Sequence, residues 1–169
     1  MISAYAENRV IGGKNGGIPW HLPRDSTHFC GYTQNKYMLL GRRTYSEMTG
    51  WFTTQKPIVL TRNGSFANGD VLVAASVPDA IELAKAKGAE ELVVSGGASV
   101  YAAALPFAER LVLTRIEANI PGGAHFPDYQ ASGGWETVSS EHFPADAENA
   151  YAMTFVELSR VHAKVMVKK

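Results

Sequence analysis

A pair of closely spaced prolines constrains this chain more than any other feature. Pro19 and Pro23 bracket the segment Trp20-His21-Leu22. A proline fixes its own φ and biases the residue before it toward extended backbone, so we predict that a helix begins near Pro23 and not earlier. Asp25 and Phe29 then lie one turn apart on the same face of that helix.

The position of Asp25 has two explanations. On a mostly apolar helix face, an unpartnered carboxylate has a raised pKa and costs several kcal/mol, which makes Asp25 a candidate for a chemically active acid. An acid in a first turn is also explained by its favourable interaction with the helix dipole. The spacing alone favours neither explanation.

Composition narrows the possible partners. The chain has 169 residues, which suits a single domain over residues 1–169 with one core. Its formal net charge is +0, with 16 basic and 16 acidic residues, so we expect neither nucleic acid nor an anionic membrane as a partner. The sequence suggests no protein partner.

Membrane and metal signals are missing from the sequence. The chain has no apolar segment of membrane-spanning length and no leader pattern, and we therefore expect a cytoplasmic protein. The five histidines show no metal-binding spacing, and Cys30 is the single cysteine. We therefore predict no metal site and no internal disulfide.

The order of apolar runs indicates an α/β fold. Predicted strands and helices alternate through the first two thirds of the chain, and two strands, 135–143 and 151–158, follow at the end. This pattern predicts a mixed sheet flanked by helices that closes on an antiparallel hairpin. Residues 159–169 form either a tail or an extra edge strand.

Cationic residues follow two of the predicted strands. Arg42, Arg43 and Thr44 come after the apolar run 37–40, and Thr61 and Arg62 come after the run 57–60. Ligands of open α/β sheets bind beyond the carboxyl ends of strands, so these residues suit a phosphate-rich ligand such as a dinucleotide. Arginines are also common as solvated surface charge.

Three further features bear on a site. Gly12-Gly13-Lys14-Asn15-Gly16-Gly17 contains four glycines and predicts a hinged lid. Gly96-Gly97 marks either a close approach of backbone to a ligand or an ordinary turn. Thr114 is the polar member of an apolar strand, and its hydroxyl is a candidate partner for a buried acid.

Taken in order, these motifs resemble the dihydrofolate reductase family from about residue 2 to residue 158. The motifs that carry the resemblance are Val10-Ile11-Gly12, Pro19-Trp20-His21-Leu22-Pro23 with Asp25 and Phe29, Gly41-Arg42-Arg43-Thr44-Tyr45, Gly96-Gly97 with Tyr101, and His125-Phe126-Pro127. The resemblance implies a mixed, mostly parallel eight-stranded sheet. It also implies an NADPH-dependent oxidoreductase that transfers hydride to C6 of a 7,8-dihydropterin while N5 gains a proton.

The resemblance also implies roles for individual residues. The catalytic group comprises Asp25, which binds the pterin and promotes protonation, its hydroxyl partner Thr114, and Trp20, which holds a water. The residues expected to bind NADPH are Ala4, Ile11, Ile18, Gly41, Arg42, Arg43, Thr44, Thr61, Arg62, Gly96, Gly97, Ala98, Ser99, Val100 and Tyr101. The residues expected to bind the pterin substrate are Ile2, Asp25, Ser26, Phe29, Met48, Gln55, Ser95 and Thr114. The family has a cis peptide bond between the two glycines.

Departures from the family pattern decide the expected substrate. Gln55 stands where the family has an arginine that grips the glutamate tail of folate, and Ser26 and Ser95 replace apolar residues. We therefore expect dihydromethanopterin, the substrate of one branch of the family, to be the preferred substrate. An ordinary dihydrofolate reductase that makes tetrahydrofolate is the alternative. A reductase of the riboflavin-pathway type and a non-catalytic NADP-binding module are weaker alternatives.

Overall fold

The computed structural model describes residues 1–63, 66 and 71–162. The strands are β1 (Ile2–Ala6), β2 (Val10–Gly12), β3 (Tyr37–Gly41), β4 (Lys56–Leu60), β5 (Leu72–Ala74), β6 (Leu92–Val94), β7 (Arg110–Ile116), β8 (Ala124–His125), β9 (Trp135–Phe143) and β10 (Met153–Arg160). The helices are α1 (Pro23–Thr33), α2 (Arg42–Glu47), α3 (Val77–Ala86) and α4 (Ala98–Ala104), followed by a short 3-10 turn, Leu105–Phe107.

Helix α1 begins where the prolines predict. Leu22 caps it with φ −134° and no side-chain hydrogen bond, and Pro23 occupies the first turn. The first backbone hydrogen bond runs from Ser26 N to Leu22 O at 3.0 Å. Proline suits this position because a first-turn N–H has no partner within the helix. Asp25 is therefore fixed in the first turn of α1.

The strands form the predicted mixed sheet. Strands β5-β4-β3-β6 pair in parallel, and a second group has the order β1-β7-β10-β9, with β1 parallel to β7 and β10 antiparallel to both of its neighbours. Ile2 of β1 and Val93 of β6 share one buried cluster, so the two groups meet there. The α/β fold class is confirmed.

Hydrogen bonding divides the expected eight-stranded ladder into two groups of four strands. Strand β6 is only three residues long. The hydroxyl of Tyr101 in α4, at 2.7 Å, donates to the carbonyl oxygen of Ile2 in β1. A side chain therefore satisfies a backbone acceptor at the seam between β1 and β6.

The last strand differs from its prediction. It spans Met153–Arg160 and lies between β7 and β9, so Ser159 and Arg160 belong to a central strand and not to a tail or an edge. Arg160 fixes this end, because its guanidinium donates to the carbonyl oxygens of Ala108 and Leu105 at 2.7 Å each. Residues 163–169 of the predicted tail lie outside the described residues.

Strand β8 was not predicted. It pairs antiparallel with β2, with Val10 opposite His125 and Gly12 opposite Ala124, and the pair forms a small two-stranded sheet. A strand of two residues has no periodicity that a sequence pattern can reveal. This small sheet anchors the first residue of the glycine-rich loop.

The core lies on the parallel strands. Leu39 of β3 and Ile58 of β4 are fully buried together with Ala80 and Ala84 of α3. Strands covered on both faces require continuous apolar runs, which these segments have. None of the helices in the described part of the chain is long and apolar enough to cross a membrane. The single-domain organisation over residues 1–169 stays a prediction.

Candidate active site

A cleft of about 1150 Å³ opens beside β1, α1, α2 and the loop before α4. Two of the predicted site residues, Gln55 and Thr114, do not line it. The predicted residues that do line it are Ile2, Ala4, Ile11, Ile18, Trp20, Asp25, Ser26, Phe29, Gly41, Arg42, Arg43, Thr44, Met48, Thr61, Arg62, Ser95, Gly96, Gly97, Ala98, Ser99, Val100 and Tyr101. The fold thus gathers residues that are spread over most of the sequence.

Asp25 is the acid of the cleft. Burial raises the pKa of its carboxyl above the ordinary value, while a side-chain hydrogen bond from Thr114 and the charge of His28 act in the opposite direction. Burial dominates because the charged form loses hydration when the carboxyl leaves water. A carboxyl with a raised pKa in a cleft is suited to general acid and base chemistry.

Thr114 lies behind Asp25 in the middle of the sheet. It is 2% exposed and sits on β7, where its register partners are Ala4 of β1 and Phe155 of β10. Its hydroxyl acts on the Asp25 carboxyl, which is the pairing that the polar position in an apolar strand predicts. Thr114 therefore acts on the cleft through Asp25.

Aromatic rings form a wall beside Asp25. Phe29 of α1 and Trp51 have ring centroids 5.4 Å apart at an interplanar angle of 49°. Trp20 also lines the cleft, and its indole Nε1 is buried without a hydrogen-bond partner among the described residues. This end therefore offers flat apolar surfaces, one free donor and one acid to a planar heterocycle.

The two serines make the wall less polar than their sequence positions suggest. The Ser26 hydroxyl donates to Leu22 O at 3.3 Å, and the Ser95 hydroxyl donates to Val93 O at 3.4 Å. Both hydroxyls are therefore engaged by the backbone of their own elements.

The opposite end of the cleft is cationic. Arg42 and Arg43 begin α2 and Arg62 follows β4, and all three side chains are exposed. Because β3 and β4 are parallel neighbours with Gly41 opposite Leu60, the two arginine-bearing ends meet at one edge of the sheet. This clustering favours an anion site over scattered surface charge.

Glycines let two parts of the cleft floor approach closely. The peptide bond between Gly96 and Gly97 is cis, as the resemblance predicts. Gly41 N donates to Gly96 O at 2.8 Å, and a Cβ on Gly97 would lie 3.2 Å from Thr44 Oγ1. The segments that carry Gly41, Thr44 and Gly97 therefore pack closely, and a close approach of this backbone to a ligand stays a prediction.

The glycine-rich lid reaches across the cleft to α2. Gly16 has φ +100°, and a Cβ on it would lie 2.7 Å from Glu47 Oε1. Glu47 in turn accepts from Arg43 Nε at 3.1 Å. Gly123 N donates to Gly12 O at 3.0 Å and holds the base of the lid. Ile18, which follows the lid glycines, is 66% exposed.

Gln55 does not enter the cleft. Its amide oxygen accepts from the backbone N–H of Thr53 at 3.0 Å and of Thr54 at 3.2 Å, and the residue is 9% exposed. The side chain thus closes its own loop before β4. A residue bound in this way contributes to the loop conformation, and a direct contact with a substrate tail stays a prediction.

Sequence reasoning did not single out several residues that line the cleft, among them Ser3, Cys30, Glu47 and Trp51. A signal for Glu47 was present, because it lies four residues after Arg43 and so shares its helix face. Trp51 lies beyond the end of α2, where no periodicity predicts the direction of a side chain.

Comparisons with known proteins agree with this geometry. A family model described as "Dihydrofolate reductase" matches residues 1–160. A dihydrofolate reductase type 3 of Salmonella typhimurium is 42% identical over 95% of this chain and 96% of its own length. A dihydrofolate reductase of Bacillus subtilis is 34% identical over 92% of this chain and 90% of its own.

A solved structure is similar over most of its length. The dihydrofolate reductase from Enterococcus faecalis, complexed with NADP(H) and RAB-propyl, superposes with a TM-score of 0.81 and 33% identity. The match covers 94% of each chain.

Proposed function

The chain belongs to the dihydrofolate reductase family, and from that premise we propose that it reduces dihydrofolate to tetrahydrofolate with NADPH. The family makes it an NADPH-dependent dihydropterin reductase. The relatives are named for dihydrofolate, which favours that substrate over other dihydropterins.

The observation that carries this proposal is the carboxyl of Asp25 beside an aromatic wall. A carboxylate can accept two parallel hydrogen bonds from adjacent N–H donors of a pterin ring. Phe29 and Trp51 supply flat surfaces for the rest of the ligand. The raised pKa of Asp25 keeps a proton available to the cleft nearer neutral pH than an ordinary aspartate would.

The cationic end fits the phosphates of NADPH. The fit rests on the three clustered guanidinium groups and on the close approach of Gly97 to Thr44. Arg42, Thr61 and Arg62 would hold the adenosine 2′-phosphate, and Arg43 and Thr44 the pyrophosphate. When bound, NADPH supplies the hydride that C6 of the dihydropterin receives. The lid excludes water from that step.

The comparisons do not support dihydromethanopterin, which the departures at Ser26, Gln55 and Ser95 led us to expect. The relatives carry the name dihydrofolate reductase. Gln55 closes its own loop and does not line the cleft, so its contacts do not select between the two substrates. Dihydrofolate, the alternative substrate, therefore fits better.

The test is NADPH oxidation by the purified protein with dihydrofolate or dihydromethanopterin as the acceptor. We expect saturable turnover of dihydrofolate in the micromolar range and a lower kcat/KM for dihydromethanopterin. Turnover of dihydromethanopterin without turnover of dihydrofolate would contradict the proposed substrate. NADPH binding without turnover of either compound would point to a non-catalytic module.

The expected partner is thus a small-molecule dihydropterin. The absence of nucleic-acid, membrane and protein partners, and a cytoplasmic location, stay predictions from the sequence.

A further inference from the structure

A histidine lies beside the acid of the cleft. His28 lies one turn after Asp25 on α1, but it does not line the cleft. Its imidazole stacks on the ring of Phe155, with centroids 4.2 Å apart and planes 17° apart. Its Nε2 atom is buried and has no hydrogen-bond partner among the described residues. The role proposed above for Asp25 makes no use of this side chain.

Helix and sheet fix the acid and the histidine side by side. On α1, residues three apart share a face, so Asp25 and His28 point toward the same sheet. On that sheet, Thr114 interacts with Asp25, and Phe155 stacks with His28. Thr114 and Phe155 are directly opposite each other in the β7 and β10 pairing. Two adjacent sheet positions therefore support two adjacent ionisable groups.

Each of the two groups acts on the charge of the other. Burial lowers the pKa of His28, and the Asp25 charge raises it. Burial raises the pKa of Asp25, and the His28 charge lowers it. Burial opposes the charged form of either group alone, whereas the ion pair offsets part of that penalty.

Other charged groups near His28 are paired or exposed. Arg24, on the same helix, lies over the ring of Phe143 and pairs with Asp146 at 2.7 Å. Glu141 of β9 is the register partner of Phe155 and is exposed. Asp25 is the charge that acts on His28 within the described part of the chain.

We propose that His28 is a positioning residue that tunes the ionisation of Asp25 from behind the cleft, so that the two side chains titrate as a coupled pair. Protonated His28 stabilises the Asp25 carboxylate and so lowers the pH at which the acid loses its proton. His28 does not line the cleft in which substrate and cofactor are proposed to bind. Its effect on catalysis rests on the proposed function, whereas the coupling itself is a property of the free protein.

The first experiment is an NMR titration of the free protein that follows the Asp25 carboxyl carbon and the His28 ring protons. In the parent, both signals should show the same two inflections, because strongly interacting groups share macroscopic pKa values. In His28→Phe, which keeps a ring to stack on Phe155, Asp25 should titrate in one step at a pH about one unit higher.

The reciprocal variant completes the NMR test. In Asp25→Asn, His28 should titrate in one step at lower pH, because the anion that favours its charged form is gone. If His28→Phe does not fold, His28→Gln and Asp25→Asn still report the coupling from each side. Unchanged titration of Asp25 in the His28 variant, or of His28 in Asp25→Asn, would overturn the proposal.

The second experiment is the pH profile of kcat/KM for dihydrofolate. In His28→Phe the basic limb should move to higher pH by about the same one unit, and one ionisation should disappear. His142→Phe is the matched control, because His142 is an exposed histidine with a carboxylate partner, Glu117, at 3.0 Å. We expect its profile to equal that of the parent.

The two experiments separate the possible failures. If the parent does not turn over dihydrofolate, the proposed function is contradicted, and the NMR titration alone decides whether Asp25 and His28 are coupled. A profile that moves equally in His28→Phe and His142→Phe would mean that overall charge causes the shift, which would overturn the role of His28.

Discussion

The two ends of the cleft hold charge in opposite ways. At one end, Asp25 is the acid among aromatic and aliphatic side chains, and burial raises its pKa. At the other end, Arg42, Arg43 and Arg62 are exposed at the ends of neighbouring parallel strands. One end depends on a single dehydrated group, and the other depends on several hydrated groups acting together.

The two ends of the cleft are therefore suited to different tasks. Removing water from one carboxyl changes its proton affinity, which is a chemical property that a reaction can use. Exposed guanidinium groups keep their charge and their hydration, so they recognise phosphate through several hydrogen bonds that salt weakens. We expect the acid end to control kcat and the cationic end to control cofactor affinity.

Replacing the acid should have the largest effect. Asp25→Asn keeps the size of the side chain but removes its ability to lose or gain a proton. We expect kcat/KM for dihydrofolate to fall about a hundredfold or more, with little change in the Kd for NADPH. Steady-state NADPH oxidation and fluorescence titration of NADPH measure the two quantities. A loss below about threefold would contradict the role of the acid.

Helix α3 supplies a matched control for this substitution. Asp79 also lies in the first turn of its helix and follows a proline, but it is exposed and does not line the cleft. Asp79→Asn should leave turnover unchanged and lower the thermal stability slightly, because it removes a charge that favours the helix dipole. Equal losses of activity in both variants would mean that the dipole, and not the cleft, explains Asp25.

Asp25→Asn and the parent should also differ in the pH dependence of stability. The pKa of Asp25 is higher in the folded than in the unfolded chain, so the folded state binds more protons between the two values. The parent therefore loses stability as the pH rises through that window, and Asp25→Asn does not. We expect Asp25→Asn to raise the Tm above neutral pH and to bring little gain in acid.

The next largest effect is expected when an arginine of the cationic end is removed. Arg42→Ala should weaken NADPH binding about tenfold, on the scale of one lost charged hydrogen bond, and should change NADH binding little. The difference should shrink as the salt concentration rises, because the group is exposed. Calorimetric titration with both nucleotides measures it. Equal losses for NADPH and NADH would show that Arg42 does not recognise the 2′-phosphate.

Replacing Thr114, the hydroxyl partner of Asp25, should have a smaller effect. Thr114→Val removes the hydroxyl that stabilises the Asp25 carboxylate and keeps the shape of the side chain. The pKa of Asp25 should rise further, and the basic limb of the kcat/KM profile should move up by about half a pH unit to one unit. An unchanged limb would mean that the hydroxyl acts elsewhere. Thr137→Val, on the exposed strand β9, is the control.

The smallest effect concerns the pair between Arg43 and Glu47. Their side chains are exposed and lie four residues apart on α2, where such pairs are worth a few tenths of a kcal/mol. Glu47→Gln should free Arg43 and tighten NADPH binding about twofold. Glu82→Gln, which breaks the exposed pair with Lys85 on α3, is the control. Weaker binding in Glu47→Gln would contradict a phosphate role for Arg43.

Much of the fold was predictable because its signals are local. Pro23 fixed the start of α1, and the continuous apolar runs ending at Leu40 and Leu60 predicted buried parallel strands. The strand called β8 and the central position of β10 were not predictable in this way. Both depend on partners far along the chain, and neither leaves a periodic pattern in its own residues.

The candidate site divides in the same manner. Asp25, Phe29, the arginines and the paired glycines were identifiable because each has a distinctive chemistry at a distinctive place in the sequence. Trp51 was not, because its direction depends on how the chain after α2 packs against α1.

Local sequence signals specify where α1 begins, which acid it carries and which strand ends carry cations, since proline geometry and apolar periodicity act within a few residues. The packing of distant segments, in contrast, places Trp51 against Phe29 and His28 beside Asp25 on the ring of Phe155. Side-chain direction and dehydration depend on contacts between distant segments, and those contacts exist only after the chain has folded.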